Sequence, residues 1–295
     1  MTTRRTNRST ALDRLITEAL AIEAEEAVRA GALGFMARAL VQATLPHRRV
    51  PGTEFERRNG AFRLSLLAPS AVGLPYGSMP RLVLAWLTTE AVRTKNRELV
   101  LGDSLSAFMR ELGLPATGGP RGYIRPLKDQ MRRLFSSTVS CTYEGDQGEG
   151  GMSYLIADRY MLWWHPKDPE QAALWESTVN LSEPFFREVV EHPVPVDMRA
   201  LKALKRSPLA LDLYAWLTYR MSYLNRATEI PWAALAAQFG SDYGRLRDFK
   251  AAFVDELQKV VMIYPEAKVT PTEHGLALLP SRPHVAKLYR PGKGK

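Results

Sequence analysis

Ala85-Trp86-Leu87-Thr88 and Ala215-Trp216-Leu217-Thr218 are the same four residues in the same order, set in two apolar stretches of one chain. With 6 Trp among 295 residues, a chance match of this kind is rare. The segments downstream of the two copies are also alike. In the first, Leu82–Val92 reads as helix, 99–101 as extended, and Ser104 can cap a short helix over Leu105, Phe108, Met109 and Leu112, stopped by Gly113. Pro115–Pro120 makes a turn, Tyr123–Phe135 reads as a longer helix, and strands 138–144 and 152–164 come next around a polar turn. In the second, the same order runs through helix Leu209–Leu224, extended Glu229–Pro231, helix Trp232–Phe239, the stop Gly240 and helix Gly244–Val261. Residues 262–280 then offer a second hairpin, with His274-Gly275 as its turn. Helix, strand, helix, turn, helix, hairpin is the order of a winged helix-turn-helix. The fold class expected is therefore α+β: two winged helix-turn-helix domains in tandem with an N-terminal helical extension.

The domain division expected is an N-terminal extension over 1–52, a first winged-helix domain over 53–165, linking strand and helices over 166–206, a second domain over 207–281 and a basic tail over 282–295. In the extension, residues 1–9 are polar and Arg-rich and read as disordered. Leu12 to Leu45 reads as helix, one or two, because Gly31 and Gly34 interrupt it. Its acidic middle (Glu23, Glu25, Glu26) suits packing or interaction rather than a DNA contact, by covering the first module, by dimerisation or by meeting a host protein. Residues 54–67 read as a hairpin turning at Asn59-Gly60, with Phe62, Leu64 and Leu66 on one side. In the link, 178–181 reads as strand, Glu183–Val190 as helix, and Asp197 as the cap of a helix through Lys205.

Lys and Arg number 40 against 31 Asp and Glu. An excess of positive charge favours a polyanionic partner. No apolar run approaches the ~18 residues of a membrane span, and no apolar segment succeeds the N-terminal arginines, so a cytoplasmic protein without a membrane is expected. The single cysteine, Cys141, excludes an intrachain disulfide and reads as a strand residue.

The charge is placed with a pattern. On a helical wheel, Ile124, Leu127, Met131 and Leu134 share one face of 123–135, while Arg121, Arg125, Lys128 and Arg132 line another. In 244–261, Leu246, Phe249, Phe253 and Val260 form the apolar face, and Tyr243, Arg247 and Lys250 occupy the matching stripe. A reading helix needs one apolar edge to seat it and one edge of long donors to reach bases and phosphates in the major groove. The residues expected to contact DNA are Arg121, Tyr123, Arg125, Lys128, Arg132 and Arg133 in the first module, and Tyr243, Arg245, Arg247 and Lys250 in the second. The competing reading is a solvated basic face; its recurrence in both modules favours binding. Pro126 has no N–H, which confines it to a first turn, so the first of these helices should begin near Tyr123–Arg125. The first hairpin is acidic (Glu144, Asp146, Glu149) and is assigned no phosphate contact.

Signals for catalysis are poor. The 5 histidines are scattered, a phosphate loop ending in Gly-Lys-Ser/Thr is missing, and Gly118-Gly119-Pro120 reads as a turn. Trp163, Trp164 and Trp175 could stack on bases but read as core. No enzymatic activity, cofactor or metal is expected.

Several runs resemble the plasmid-encoded RepA-type replication initiators: Arg58-Asn59-Gly60, Gly73-Leu74-Pro75-Tyr76-Gly77, Pro80-Arg81-Leu82, Thr89-Glu90-Ala91, Leu101-Gly102-Asp103-Ser104, Arg121-Gly122 and Gln130-Met131-Arg132-Arg133-Leu134-Phe135. These landmarks cover about residues 55–165; the second module matches by layout alone. The resemblance implies two winged-helix domains that bind repeated origin sites (iterons) in duplex DNA, help open the adjacent duplex and recruit host replication proteins such as a helicase or initiator. It implies a possible homodimer acting as autorepressor. It carries DNA binding onto Arg121, Arg125, Lys128, Arg132 and Arg133, and makes Leu82, Leu84 and Leu87 core or dimer-forming. A winged-helix transcriptional repressor without initiation activity is the alternative; a relaxase or primase would need a catalytic cluster that this sequence lacks.

Overall fold

The computed structural model describes residues 2–145, 148–163, 176–240 and 243–286, with side chains from residue 11 onward. First come α1 (Thr2–Glu23), β1 (Leu33–Ala37), α2 (Arg38–Gln42) and the hairpin β2 (Glu54–Asn59) and β3 (Phe62–Leu67). The first repeat is α3 (Ser78–Thr94), β4 (Glu98–Val100), α4 (Leu105–Glu111) and α5 (Ile124–Phe135). Next are β5 (Thr138–Gly145), β6 (Gly148–Leu155), β7 (Ala157–Met161) and β8 (Thr178–Leu181). α6 (Glu183–Glu191), β9 (Pro193–Asp197) and α7 (Met198–Leu204) lead to the second repeat. That repeat is α8 (Pro208–Met221), β10 (Thr228–Pro231), α9 (Trp232–Phe239), α10 (Leu246–Ile263), β11 (Val269–Pro271) and β12 (Gly275–Leu278).

The two repeats share more than element order. Each closes a three-stranded antiparallel sheet in which the strand after the first helix pairs with the last strand: β4-β8-β7 and β10-β12-β11. Trp86 and Trp216, both buried, perform one task. Trp86 meets Phe108 of α4 edge-on at 5.1 Å, and Trp216 meets Phe239 of α9 edge-on at 5.3 Å. Such aromatic pairs contribute about 0.5–1.5 kcal/mol beyond the area they bury. They lock the long helix of each module to its short one. Leu82, Leu84 and Leu87 lie in the core beside Trp86. Ser104 caps α4 as expected, its hydroxyl accepting from the Ala107 N–H, and Ser207 caps α8 by accepting from the Ala210 N–H.

The hairpin 138–155 departs from the expected wing. β5 and β6 extend β2-β3 into a four-stranded antiparallel sheet, ordered β2-β3-β5-β6. The reason is burial: Val139 and Cys141 sit opposite Leu66 and Leu64 in register, so the two hairpins share one apolar face. β7 pairs instead with β8, and most of the connection between them (164–175, with Trp164 and Trp175) lies outside the described residues. The stretch 166–206, expected as a link, thus supplies β8 to the first module's sheet. The β2–β3 hairpin itself is as expected, with its two-residue turn one step later, at Gly60-Ala61, where Gly60 takes φ 59°.

The N-terminal reading needs three corrections. Helix begins at Thr2 rather than after residue 9, in a run without Gly or Pro. Residues 33–37 form a strand, not a helix, paired antiparallel with β9. Short apolar runs are ambiguous between buried strand and helix; here pairing with β9 makes the strand, and Gly34 admits Met198, whose Sδ would lie 2.4 Å from a Cβ there. Finally, α1 packs on α7 and α10, against the second module rather than the first. Leu15 and Ile22 are buried by that packing, whereas Leu12, Ile16 and Leu20 face solvent. Cys141 is a buried strand residue whose thiol burial pushes up to about 11.

Candidate nucleic-acid interface

α5 is seated by Ile124, Leu127, Met131 and Leu134, all buried. Its other edge is open: Arg121, Tyr123, Arg125 and Arg132 are exposed and Lys128 half-buried. Pro126 falls in the first turn, as its missing N–H requires. The approach to the helix is a tight turn in which the N–H groups of Tyr123 and Ile124 both donate to the Thr117 carbonyl. Gly122 is obligatory there, because a Cβ would lie 2.2 Å from that oxygen. Arg121 therefore projects from the turn next to the helix start. Desolvation by partial burial pulls the Lys128 ammonium pKa down from its usual value. Arg132 makes an exposed pair with Asp129 at 3.2 Å, which is weak enough to exchange for a phosphate.

Arg133 is different. It donates to Asp129 at 2.7 Å and to the Leu74 carbonyl, and its guanidinium lies 5.6 Å from the Tyr76 ring centre. It ties the Gly73–Gly77 loop to α5 through its Nε and Nη1 donors.

In the second module Arg245 and Arg247 are exposed at the start of α10, with Tyr243 half-buried just before them. Arg247 has a surface pair with Asp248 at 3.3 Å. Lys250 departs from the expected stripe: its ammonium donates to the carbonyls of Thr272 and Glu273 and stands 5.1 Å from the Trp232 ring centre. It holds the β11–β12 turn. Leu246, expected on the apolar face, is 49 % exposed because it opens the helix ahead of the first buried position, Phe249. The two modules thus present unequal basic edges, the first richer than the second.

Between the modules lies a charged seam that sequence reasoning missed. Arg81 of α3 grips Asp212 of α8 through two bonds of 2.7 Å. Its remaining donors reach the carbonyls of Leu45, Pro46 and Gly77. His47 joins Asp212 at 2.8 Å. Burial drives the His47 pKa down, outweighing the pull of Asp212, so the ring is neutral and its contact is a hydrogen bond. Burial works to raise the Asp212 carboxyl, but Arg81 and the His47 hydrogen bond hold it below its ordinary range. No signal local to residues 81 or 212 foretells this pair, whose partners are 131 positions apart.

Among the described residues no cluster of His, Cys, Asp and Glu could hold a metal ion, and no helix is long and apolar enough to cross a membrane.

The family model for plasmid encoded RepA protein matches residues 74–233, more than half of the chain. The chain belongs to the plasmid RepA family. The match spans both Ala-Trp-Leu-Thr copies, α5 and the Arg81–Asp212 seam. It supports a replication initiator role for this RepA-family chain. The crystal structure of selenomethionine derivatives of domains 2 and 3 of RctB is similar in fold, with a TM-score of 0.55 and 12 % identity, covering 84 % of this chain and 98 % of that one. A second structure of RctB domains 2–3 gives a TM-score of 0.49 at 13 % identity, covering 81 % and 94 %. No curated protein matches the chain in sequence.

Proposed function

We propose that this RepA-family chain is a sequence-specific duplex-DNA-binding initiator built from two winged helix-turn-helix units, and that it binds direct repeats in a plasmid origin. Binding would promote opening of the neighbouring duplex and bring host replication proteins, such as a helicase or host initiator, to it. The chain contributes recognition and scaffolding without catalytic chemistry or cofactor, in the bacterial cytoplasm.

The observation that carries this reading is α5: a buried apolar edge backed by an exposed edge of Arg121, Arg125 and Arg132. It occupies the place in its module where such a fold puts its major-groove helix. The matching strand orders β4-β8-β7 and β10-β12-β11 support reading both modules as winged helices. Two such units on one chain suit successive major grooves about one helical turn apart. Arg121, Tyr123, Arg125, Lys128 and Arg132 are assigned to DNA, with Tyr243, Arg245 and Arg247 in support. Arg133 and Lys250 are assigned to structure.

The test is a footprint of the purified chain on the DNA flanking its gene, with an assay for autonomous replication of a plasmid carrying both. Protected direct repeats of about 20 base pairs, needed for replication, are expected. Protection confined to the gene's promoter, with no replication, would favour a repressor; no protection anywhere would end the DNA reading.

A further inference from the structure

We propose that the His47-Arg48-Arg49 loop is a third DNA contact, a clamp on the phosphate backbone running between the two reading helices; this rests on the reading of α5 and α10 as duplex-binding.

The loop issues from a segment that both modules hold. The Gln42 carbonyl accepts from Asn59 Nδ2 of β2 and from Gln238 Nε2 of α9, each at 2.9 Å. The next carbonyls, of Leu45 and Pro46, accept from Arg81, and His47 is bonded to Asp212. Arg48 and Arg49 emerge directly beyond this anchored run, and both are exposed. A cation on a fixed base loses less entropy on binding than one on a free loop.

The position lies one contact from the approach to α10 and two contacts from α5. On one side the Arg48 guanidinium stands 5.7 Å from the ring centre of Tyr243, which leads into Arg245 and α10. On the other, the Pro46 carbonyl accepts from the Gly77 N–H at 3.0 Å, and the adjacent Tyr76 N–H donates to Gln130 of α5 at 2.8 Å. Arg49 makes no ion pair among the described residues. Two guanidiniums on a loop outside both helices are placed for the backbone between two grooves, not for base edges within either. Arg holds phosphate through paired N–H donors, and such contacts position a protein without reading sequence.

The test uses the full chain, a duplex enriched by it from a random pool, and a scrambled duplex of equal composition. Arg48→Ala/Arg49→Ala should weaken both complexes by about tenfold or more, with their affinity ratio unchanged. The slope of log Kd against log salt should become shallower by about 2. Arg49→Ala alone, which disturbs no stacking, should lower that slope by about 1. Unchanged affinity and slope in both variants, while Arg125→Ala/Arg132→Ala loses binding, would overturn the clamp and leave the reading of α5 intact. A loss confined to the enriched duplex would also overturn it, since that marks a base contact. If the unaltered chain enriches no duplex, the clamp falls together with the DNA reading beneath it.

Discussion

Arg81 and Asp212 face each other across the seam of α3 and α8 as a two-pronged ion pair, Nε to Oδ1 and Nη2 to Oδ2, both at 2.7 Å and both almost without solvent. Each residue lies within about a turn and a half of its module's Ala-Trp-Leu-Thr. The pair therefore joins the two copies of the repeat to each other. Arg81 also gathers the carbonyls of Leu45, Pro46 and Gly77, so one guanidinium joins α8 to the backbone that leads into the first module.

Removing one partner of a buried pair leaves an uncompensated charge, at a cost of about 3–5 kcal/mol. Arg81→Met and Asp212→Leu should each lower stability by that order in denaturant unfolding. The double variant should cost clearly less than the two single losses added together, because it strands no charge. Single variants that unfold like the parent chain would show the pair to be incidental.

Stability should also fall with mild acid. Burial lowers the folded-state pKa of His47, and likewise that of His284, below the 6.5 of an unperturbed imidazole. The unfolded chain then binds more protons than the folded one between the lowered value and 6.5, so stability is full above that upper limit and is lost as pH falls through the window. The melting temperature measured from pH 7.5 down to pH 5 should decline, and His47→Gln should flatten the decline. A curve of the same shape in that variant would count against His47 as a source.

Arg133 offers a separation of structure from binding. Its bonds to Asp129 and Leu74 hold the Gly73–Gly77 loop, and Gly73 itself adopts φ +80° with Arg133 Nη1 only 2.6 Å from where a Cβ would stand. Arg133→Ala should lower the unfolding free energy by about 1–3 kcal/mol, while DNA affinity at a temperature where the variant stays folded changes by less than about threefold, under 1 kcal/mol. A large affinity loss in a fully stable variant would return Arg133 to the contact surface.

The scaffold was largely legible. The Ala-Trp-Leu-Thr repeat foretold two like modules because Trp86 and Trp216 each anchor a Phe, and Ser104 and Asp197 foretold helix starts through the backbone N–H groups their side chains cap. What alternation could not show was which strand pairs with which. The strands expected at 138–144 and within 152–164 are present, but β6 already begins at Gly148, β5 and β6 join β3, and β7 pairs with β8 in a different sheet. The helical wheel placed Arg125 and Arg132 outward, but it could not reveal that Arg133 and Lys250 end on backbone carbonyls distant in sequence. The Arg81–Asp212 seam and the anchoring of residues 42–47 were illegible for the same reason: long-range partners leave no local period.

Whether α5 reads duplex DNA is decided by binding of the full chain to an origin-repeat duplex across a salt series. Arg125→Ala/Arg132→Ala should keep the parent's thermal unfolding, lose about 1–3 kcal/mol of binding for each arginine that reads a base, and bind with a shallower salt slope. A double variant with unchanged affinity, salt slope and footprint would contradict that reading.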